Sequence, residues 1–259
     1  MAIRRLATDR SNTPLAPILA KLSGLASLSD HEIGLINTMA SHRRQHRAGA
    51  ELEMEGHALG RPRVVLSGWA CRARLFEDGR RQIIHILLPG DGIGLCRRPS
   101  PHTVSTVIAL TSVQTGEAQA LADVLAEEDD ASPGLLDALE ISAGIEEAAL
   151  VDQVARLGRL TAYERTVHLL LELHWRLTLA GLADRHNFPM PLTQEMLADT
   201  LGLSIVHVNR TLQQLRREGM LELRSGYCDL LKPDLLAALC GYRSPRPSRT
   251  AHFGAAKTA

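Results

Sequence analysis

Aromatic residues, lysines and cysteines are all scarce in this chain. The 259 residues include three Phe, three Tyr and two Trp, 3% in total, too few for a surface that stacks single-stranded bases on successive rings. Only three lysines stand against 26 arginines, a bias that suits phosphate contacts and that GC-rich codon usage also produces. The four cysteines (Cys71, Cys96, Cys228, Cys240) are far apart and form no CxxC pair. That spacing does not match zinc or iron–sulfur sites and fits reduced, mostly buried thiols in the cytoplasm. No run of 18 apolar residues occurs, so a membrane-spanning helix is not expected. The polar stretch Thr8 to Thr13 stands where a secretory signal would need its apolar core.

Charge is missing locally rather than globally. Lys+Arg and Asp+Glu are 29 each, yet from Pro99 to Ala155 there is no Lys or Arg and there are eleven acids. The flanks therefore carry +6 over residues 1–98 and +5 over residues 156–259. A chain segregated in this way can turn its basic ends to a polyanion. With 45% hydrophobic residues the chain can also fill one large or two modest cores.

The pattern divides the chain into five stretches. Residues 1–28 read as a tail followed by a short helix over Pro14 to Leu22. Over 29–131, a capping box at Ser29-Asp30-His31-Glu32 opens a helix to about Ala40. Short β-rich runs follow at Glu51 to Glu55, Arg63 to Leu66, Ala70 to Phe76, Gln82 to Leu88 and Val104 to Leu110. The Asp78-Gly79 pair between two of them is a hairpin signal, and the regular spacing suggests a sandwich or barrel. Residues 132–158 form one long helix, with Ser132 as N-cap and Pro133 at N1. Its apolar positions, Ile141, Ile145 and Ala149 among them, wrap around more than one face, as in a helix packed on its own barrel and on a partner helix at once. Residues 159–243 begin with a second capping box, Thr161 to Glu164, and a helix that Gly181 can end. Residues 244–259 read as a flexible tail.

The most informative stretch is 192–219. Thr193 caps a first helix, Gly202 permits a tight turn, and Ser204 caps a second helix with Val208, Leu212 and Leu215 as its buried stripe. This is a helix-turn-helix by pattern. The outward residues of the second helix are Ile205, Val206, His207, Asn209, Arg210, Gln213, Arg216 and Arg217, with three arginines and no acid. A helix of this kind enters the major groove of double-stranded DNA by its N-terminal turns. Arg210 suits a guanine edge, Asn209 and His207 suit further polar contacts, and Arg216 and Arg217 suit phosphates. Beyond Gly219, Met220 to Arg224 and Tyr227 to Leu231 form a small hairpin wing around Ser225-Gly226, with Arg224 and Tyr227 as further phosphate candidates.

A barrel, a long helix and a winged helix-turn-helix in this order resemble the Crp–Fnr family of bacterial transcription regulators over roughly Leu15 to Tyr242. The motifs that carry the resemblance are Leu192 to Met220, Asp78 to Ile83 and Leu87 to Asp91. It implies an α+β fold: a cyclic-nucleotide-binding-like jelly roll, a dimerisation helix and a winged helix-turn-helix. It also implies a cytoplasmic homodimer on a pseudopalindromic site, with RNA polymerase as a further partner. The family's base-contacting positions fall on Ile205, Val206, Asn209 and Arg210. Many members have Glu where Val206 stands, so a different half-site is expected. The effector region departs further. Where cyclic-nucleotide binders carry Gly-Glu-Leu and an Arg-Ser or Arg-Thr phosphate clamp, this chain has Gly94-Leu95-Cys96 and Ser105-Thr106. Without any cation from Pro99 to Ala155 the cyclic phosphate has no partner, and no cyclic-nucleotide control is expected.

No cofactor is predicted. The alternatives within the family are a haem sensor using Cys71, His85, Cys96 or His102, and a redox sensor at Cys96 beside Arg97 and Arg98. A cupin-like metal enzyme is the alternative outside it. The histidines His31, His42, His46, His57, His85 and His102 lack the HxH-then-Glu spacing it needs, and no phosphate loop, nucleophile elbow or HExxH is present. The chain is therefore read as a DNA-binding protein rather than an enzyme.

Overall fold

Capping and proline decide where the first helices begin. Helix α1 (Ala16–Leu25) carries Pro17 in its first turn, where a missing N–H costs nothing. Helix α2 (Asp30–Asn37) starts at the Ser29–Glu32 capping box and runs into a short 3-10 turn, Thr38–Ala40. The structure, a computed structural model, describes residues 14–96, 102–127 and 131–245. The tail expected at residues 1–12, most of the tail expected over 244–259, and Arg97 and Arg98 lie outside the described residues.

Among the described residues eight strands follow: β1 (Arg43–His46), β2 (Glu51–Glu53), β3 (Arg63–Ser67), β4 (Ala70–Leu75), β5 (Arg81–Leu87), β6 (Gly92–Ile93), β7 (Thr106–Ala109) and β8 (Val113–Glu117). They pair antiparallel in two four-stranded sheets, β1-β8-β3-β6 and β2-β7-β4-β5. Val65, Ile93 and Val113 of the first sheet share one core with Ala70, Leu87, Val107 and Ala109 of the second. The sheets therefore face each other as a jelly roll. Gly68 makes the β3–β4 turn possible: its φ is +77°, and a Cβ there would stand 2.0 Å from the Ser112 carbonyl oxygen. Strands β1, β6 and β8 escape the sequence pattern. Arg43-Arg44-Gln45-His46 is a polar edge strand without apolar alternation, and its arginines are exposed, as is Arg47.

Helix α3 (Gln119–Glu127) leads to the long α4 (Pro133–Arg159), then to α5 (Ala162–Leu179). Ser132 does not cap α4: its hydroxyl is buried and makes no hydrogen bond. The cap comes from 103 residues earlier, where Glu32 Oε1 accepts from the Leu135 N–H at 2.7 Å while Oε2 holds the Ser29 N–H and hydroxyl. Burial alone would raise the Glu32 pKa, but these hydrogen bonds to its charged form outweigh it and lower the pKa. The stripe expected to meet a partner also needs correction. Ile145 and Ala149 are 7% and 5% exposed, buried within their own chain, and Ile141 packs beside the α1–α2 core. The large apolar side chains that α4 leaves in solvent are Val151 and Val154, 62% and 73% exposed. An apolar helix with two covered faces hides this choice from pattern reading.

The C-terminal part comprises β9 (Asn187–Pro189), α6 (Gln194–Leu201), α7 (Ile205–Arg217), β10 (Leu221–Arg224), β11 (Tyr227–Leu230) and α8 (Pro233–Cys240), its strands ordered β10-β11-β9. Strand β9, ending in Pro189, is a fourth strand that sequence reading missed. Among the described residues no helix is long and apolar enough to cross a membrane.

Buried charges join this part to the barrel. Arg176 of α5 donates to Asp91 Oδ2 (2.6 Å), the Ile86 carbonyl (2.7 Å) and Glu172 Oε1 (3.1 Å), and lies 3.1 Å from His85 Nε2. Lys21 of α1 takes the other Asp91 oxygen at 2.7 Å. Glu172 also pairs with Arg156 of α4, which contacts His168 and Gln153. Gln153 donates to the Thr200 carbonyl of α6 at 2.7 Å. The run therefore extends from α1 through the barrel, α5 and α4 to α6. Burial would raise the Asp91 pKa, but Lys21 and Arg176 hold it well below the usual carboxylate range. Burial, reinforced by Arg176, pushes His85 far down despite Asp91, and burial with Arg156 pushes His168 down to about 4.

Candidate nucleic-acid interface

Local sequence alone explains how α6 and α7 meet. Thr193 Oγ1 accepts from the Met196 N–H at 3.2 Å and starts α6. Gly202 ends it in the left-handed conformation, φ +61°. Two residues later Ser204 Oγ accepts from the His207 N–H at 3.2 Å and starts α7. Val208, Leu212 and Leu215 are buried, and Ala198 is the small residue beside them in the shared core. The far end of α7 is held by Glu218, whose carboxylate accepts from Tyr163 Oη of α5 at 2.7 Å and from Gln214 Nε2 at 2.9 Å.

This seating turns a single face outward. Ile205 and Val206, adjacent apolar side chains in the first turn of α7, are 50% and 68% exposed. Ser204, His207, Arg210, Gln213, Arg216 and Arg217 are exposed too. None of the three arginines forms an ion pair among the described residues, so their charge is available to a polyanion. His207 is not wholly free, because its Nδ1 lies 3.4 Å from Ser204 Oγ. Asn209 differs from its neighbours: it is half-buried, and its Nδ2 donates to Gln194 Oε1 at 3.1 Å.

The wing stands beside this face. Its turn places Ser225 at φ 51° and Gly226 at φ 80°, the pair of positive values that a two-residue hairpin turn requires. Arg224 is exposed but pairs with Glu222 at 3.1 Å, and Tyr227 is half exposed. Thr193, Gln194, Arg216, Arg224 and Tyr227 together line a cleft of about 290 Å³ between α6, α7 and the wing. Sequence reasoning missed Gln194, Tyr163 and Glu218. Gln194 is an ordinary first-turn residue by pattern, and only the packing of α6 on α7 shows its partner.

The residues aligned with an effector site are placed differently. Gly94, Leu95 and Cys96 follow β6 in one sheet, whereas Ser105 and Thr106 lead into β7 of the other. Ser105 and Thr106 are buried, and Thr106 Oγ1 already accepts from the Glu55 N–H at 3.3 Å. Leu95 packs against the α1–α2 core, and Cys96 is half-buried. The haem candidates also fall apart. Cys71 of β4 is buried in the core that the barrel shares with α5, where burial pushes its thiol up to about 12. His85 faces Arg176, and His102 is an exposed bridge partner of Ala58. Among the described residues no three His, Cys, Asp or Glu side chains group as metal ligands.

Comparison with known proteins gives the same architecture. Residues 164–239 match the Crp-like helix-turn-helix domain family. The nitrogen fixation regulation protein FixK of Bradyrhizobium diazoefficiens is 33% identical over 180 residues, covering 68% of this chain and 72% of that protein. The transcriptional activator protein FnrL of Cereibacter sphaeroides is 29% identical over 188 residues, 70% of this chain and 72% of that one. The structure of FixK2 from Bradyrhizobium japonicum superposes with a TM-score of 0.64 at 28% identity, covering 76% of this chain and 96% of that one. Barrel, long helix and winged helix-turn-helix are thus shared in order and in shape, and the chain belongs to the Crp–Fnr family of DNA-binding transcription regulators.

Proposed function

We propose that the protein acts as a homodimer that reads a pseudopalindromic DNA site through the major groove, with RNA polymerase as its partner at promoters and without cyclic-nucleotide or haem control. One observation carries the reading: α7 is capped, seated on three buried aliphatic residues, and presents three unpaired arginines and two uncovered β-branched side chains on one face. Its expected roles are guanine recognition by Arg210, apolar contact by Ile205 and Val206, and phosphate contacts by Arg216 and Arg217. Arg210→Ala is expected to weaken binding to the specific site by about 1–3 kcal/mol while changing non-specific binding little. Fluorescence anisotropy over a salt series reads both quantities, and equal affinity of wild type and variant for every sequence would overturn the assignment.

Exposed Val151 and Val154 support the dimer. Gly144, Glu147, Val151, Val154 and Gly158 repeat at alternating steps of three and four, the spacing of a two-helix seam. Val151→Glu combined with Val154→Glu is expected to give a monomer at micromolar concentration in sedimentation velocity. It should also lose most affinity for a two-half-site operator. A double variant that remained dimeric would place the interface elsewhere. Two features support effector independence from cyclic nucleotides: the absence of Lys and Arg from Pro99 to Ala155 and the burial of Ser105 and Thr106. Against haem stand the engagement of His85 by Arg176 and the protonated, buried Cys71.

A further inference from the structure

The amide of Asn209 is a polar group on the reading face that a side chain of the neighbouring helix holds. Val206, Asn209, Arg210 and Gln213 lie at i, i+3, i+4 and i+7, so they share one side of α7. Asn209 occupies the edge of that side nearest α6, where Gln194, the first residue of α6, receives one Nδ2 hydrogen on its Oε1. A lone asparagine on a helix can turn its amide over and exchange oxygen for nitrogen. Here, while Gln194 presents Oε1, the exchange would set Oδ1 against Oε1, two acceptors face to face, so Asn209 can turn only if Gln194 turns with it. What remains of the Asn209 amide is one N–H donor beside one carbonyl acceptor, in one plane. Adenine presents the complement in the major groove, N7 as acceptor and the N6 amino group as donor.

We propose that Gln194 is a positioning residue for base selection: it fixes the Asn209 amide so that Asn209 selects adenine at a step adjacent to the guanine taken by Arg210. This rests on the DNA-reading function proposed above and names the base that this part of the face reads. Gln194 acts through Asn209, so its loss alters which base is preferred at one position rather than the affinity for all sequences.

The test is a randomised half-site library selected with the full-length protein as wild type, Asn209→Ala, Gln194→Ala and Gln194→Glu, read as base preference at each position. Wild type is expected to favour adenine about tenfold or more at one position beside the preferred guanine. Asn209→Ala abolishes that preference. Gln194→Ala lowers it to roughly threefold or less, as loss of one orienting hydrogen bond implies, and leaves the guanine preference intact. Gln194→Glu, which can only accept, keeps the adenine preference even where added negative charge lowers total affinity. The proposal is overturned if Gln194→Ala leaves the adenine preference unchanged or weakens all sequences alike. It is equally overturned if Gln194→Glu behaves as Gln194→Ala. Loss of the guanine preference in the wild type as well would be the separate failure of the DNA-reading function, taking this inference with it. Unchanged circular dichroism melting of each variant establishes that a flattened profile reflects recognition and not unfolding.

Discussion

Arg176→Leu is expected to lower the unfolding free energy by about 3–5 kcal/mol, the cost of removing one partner from buried ion pairs. The loss is large because one guanidinium serves several acceptors. Without it the Asp91 carboxylate keeps Lys21 and the Leu88 N–H, Glu172 keeps Arg156, and the Ile86 carbonyl loses this donor. Leucine fills the space but returns no hydrogen bond, and stranded acceptors carry their full desolvation cost. Urea unfolding followed by tryptophan fluorescence measures the effect at both ends, because Trp69 lies in the barrel and Trp175 on α5. With a slope near ~3 kcal/mol per molar urea, the midpoint should fall by about 1–1.7 M. Both tryptophans should report it together, since Arg176 bridges the two parts. Arg74→Ala, which removes an exposed pair with Glu55, is the control and should change stability by less than ~1 kcal/mol. A midpoint for Arg176→Leu within the error of wild type would mean that the buried run contributes no net stability.

Acidification is expected to remove about 2 kcal/mol between pH 7 and pH 5 through His168 alone, its folded pKa of about 4 standing well below an unfolded value near 6.5. The sign follows from proton uptake. Below pH 6.5 the unfolded chain binds a proton at His168 that the folded chain refuses, so stability is complete above that pH and falls as pH drops toward 4. His85 acts in the same direction. Burial first, and then Arg176, Arg72 and Lys21, oppose its charge, while Asp91 favours it. Asp91 and Glu32, both with lowered pKa, extend the loss below pH 4. Asp152 works the other way: burial and Glu172 raise its pKa despite Arg156, so the folded state gains a proton there in acid. Urea midpoints from pH 7.5 to 5 check the prediction, with His168→Gln expected to flatten the slope. Equal midpoints at pH 7 and pH 5 in the wild type would refute it.

What was legible in the sequence was local. Ser204, Gly202 and the Val208–Leu212–Leu215 stripe define the recognition helix because caps, turns and periodicity act within a dozen residues. The Asp78-Gly79 hairpin and the Ser29 and Thr161 capping boxes were readable for the same reason. What failed to show were contacts distant in sequence. Glu32 caps a helix 103 residues away, and β8, with Gln114, Gly116 and Glu117 among its five residues, becomes a strand because β1 and β3 pair with it from both sides. Ile145 and Ala149 read as partner-facing yet are buried within their own chain, because composition shows that a helix has two apolar faces but not which one its own chain covers. Gln194 was invisible until α6 lay on α7.

The Glu32 cap has a mechanical consequence. One carboxylate bolts the start of α4 to α2, and Gly134 fits there only because it lacks a side chain, a Cβ at that point standing 2.2 Å from the Ser27 carbonyl oxygen. At the other end Gln153 and Arg156 fasten the same helix to α6 and α5. A rod of 27 residues, about 40 Å long, gripped at both ends behaves as a torsion bar: it cannot dissipate a twist by fraying. A small rotation imposed at the barrel end is expected to reach α6 and α5 through these contacts instead of being lost in frayed turns.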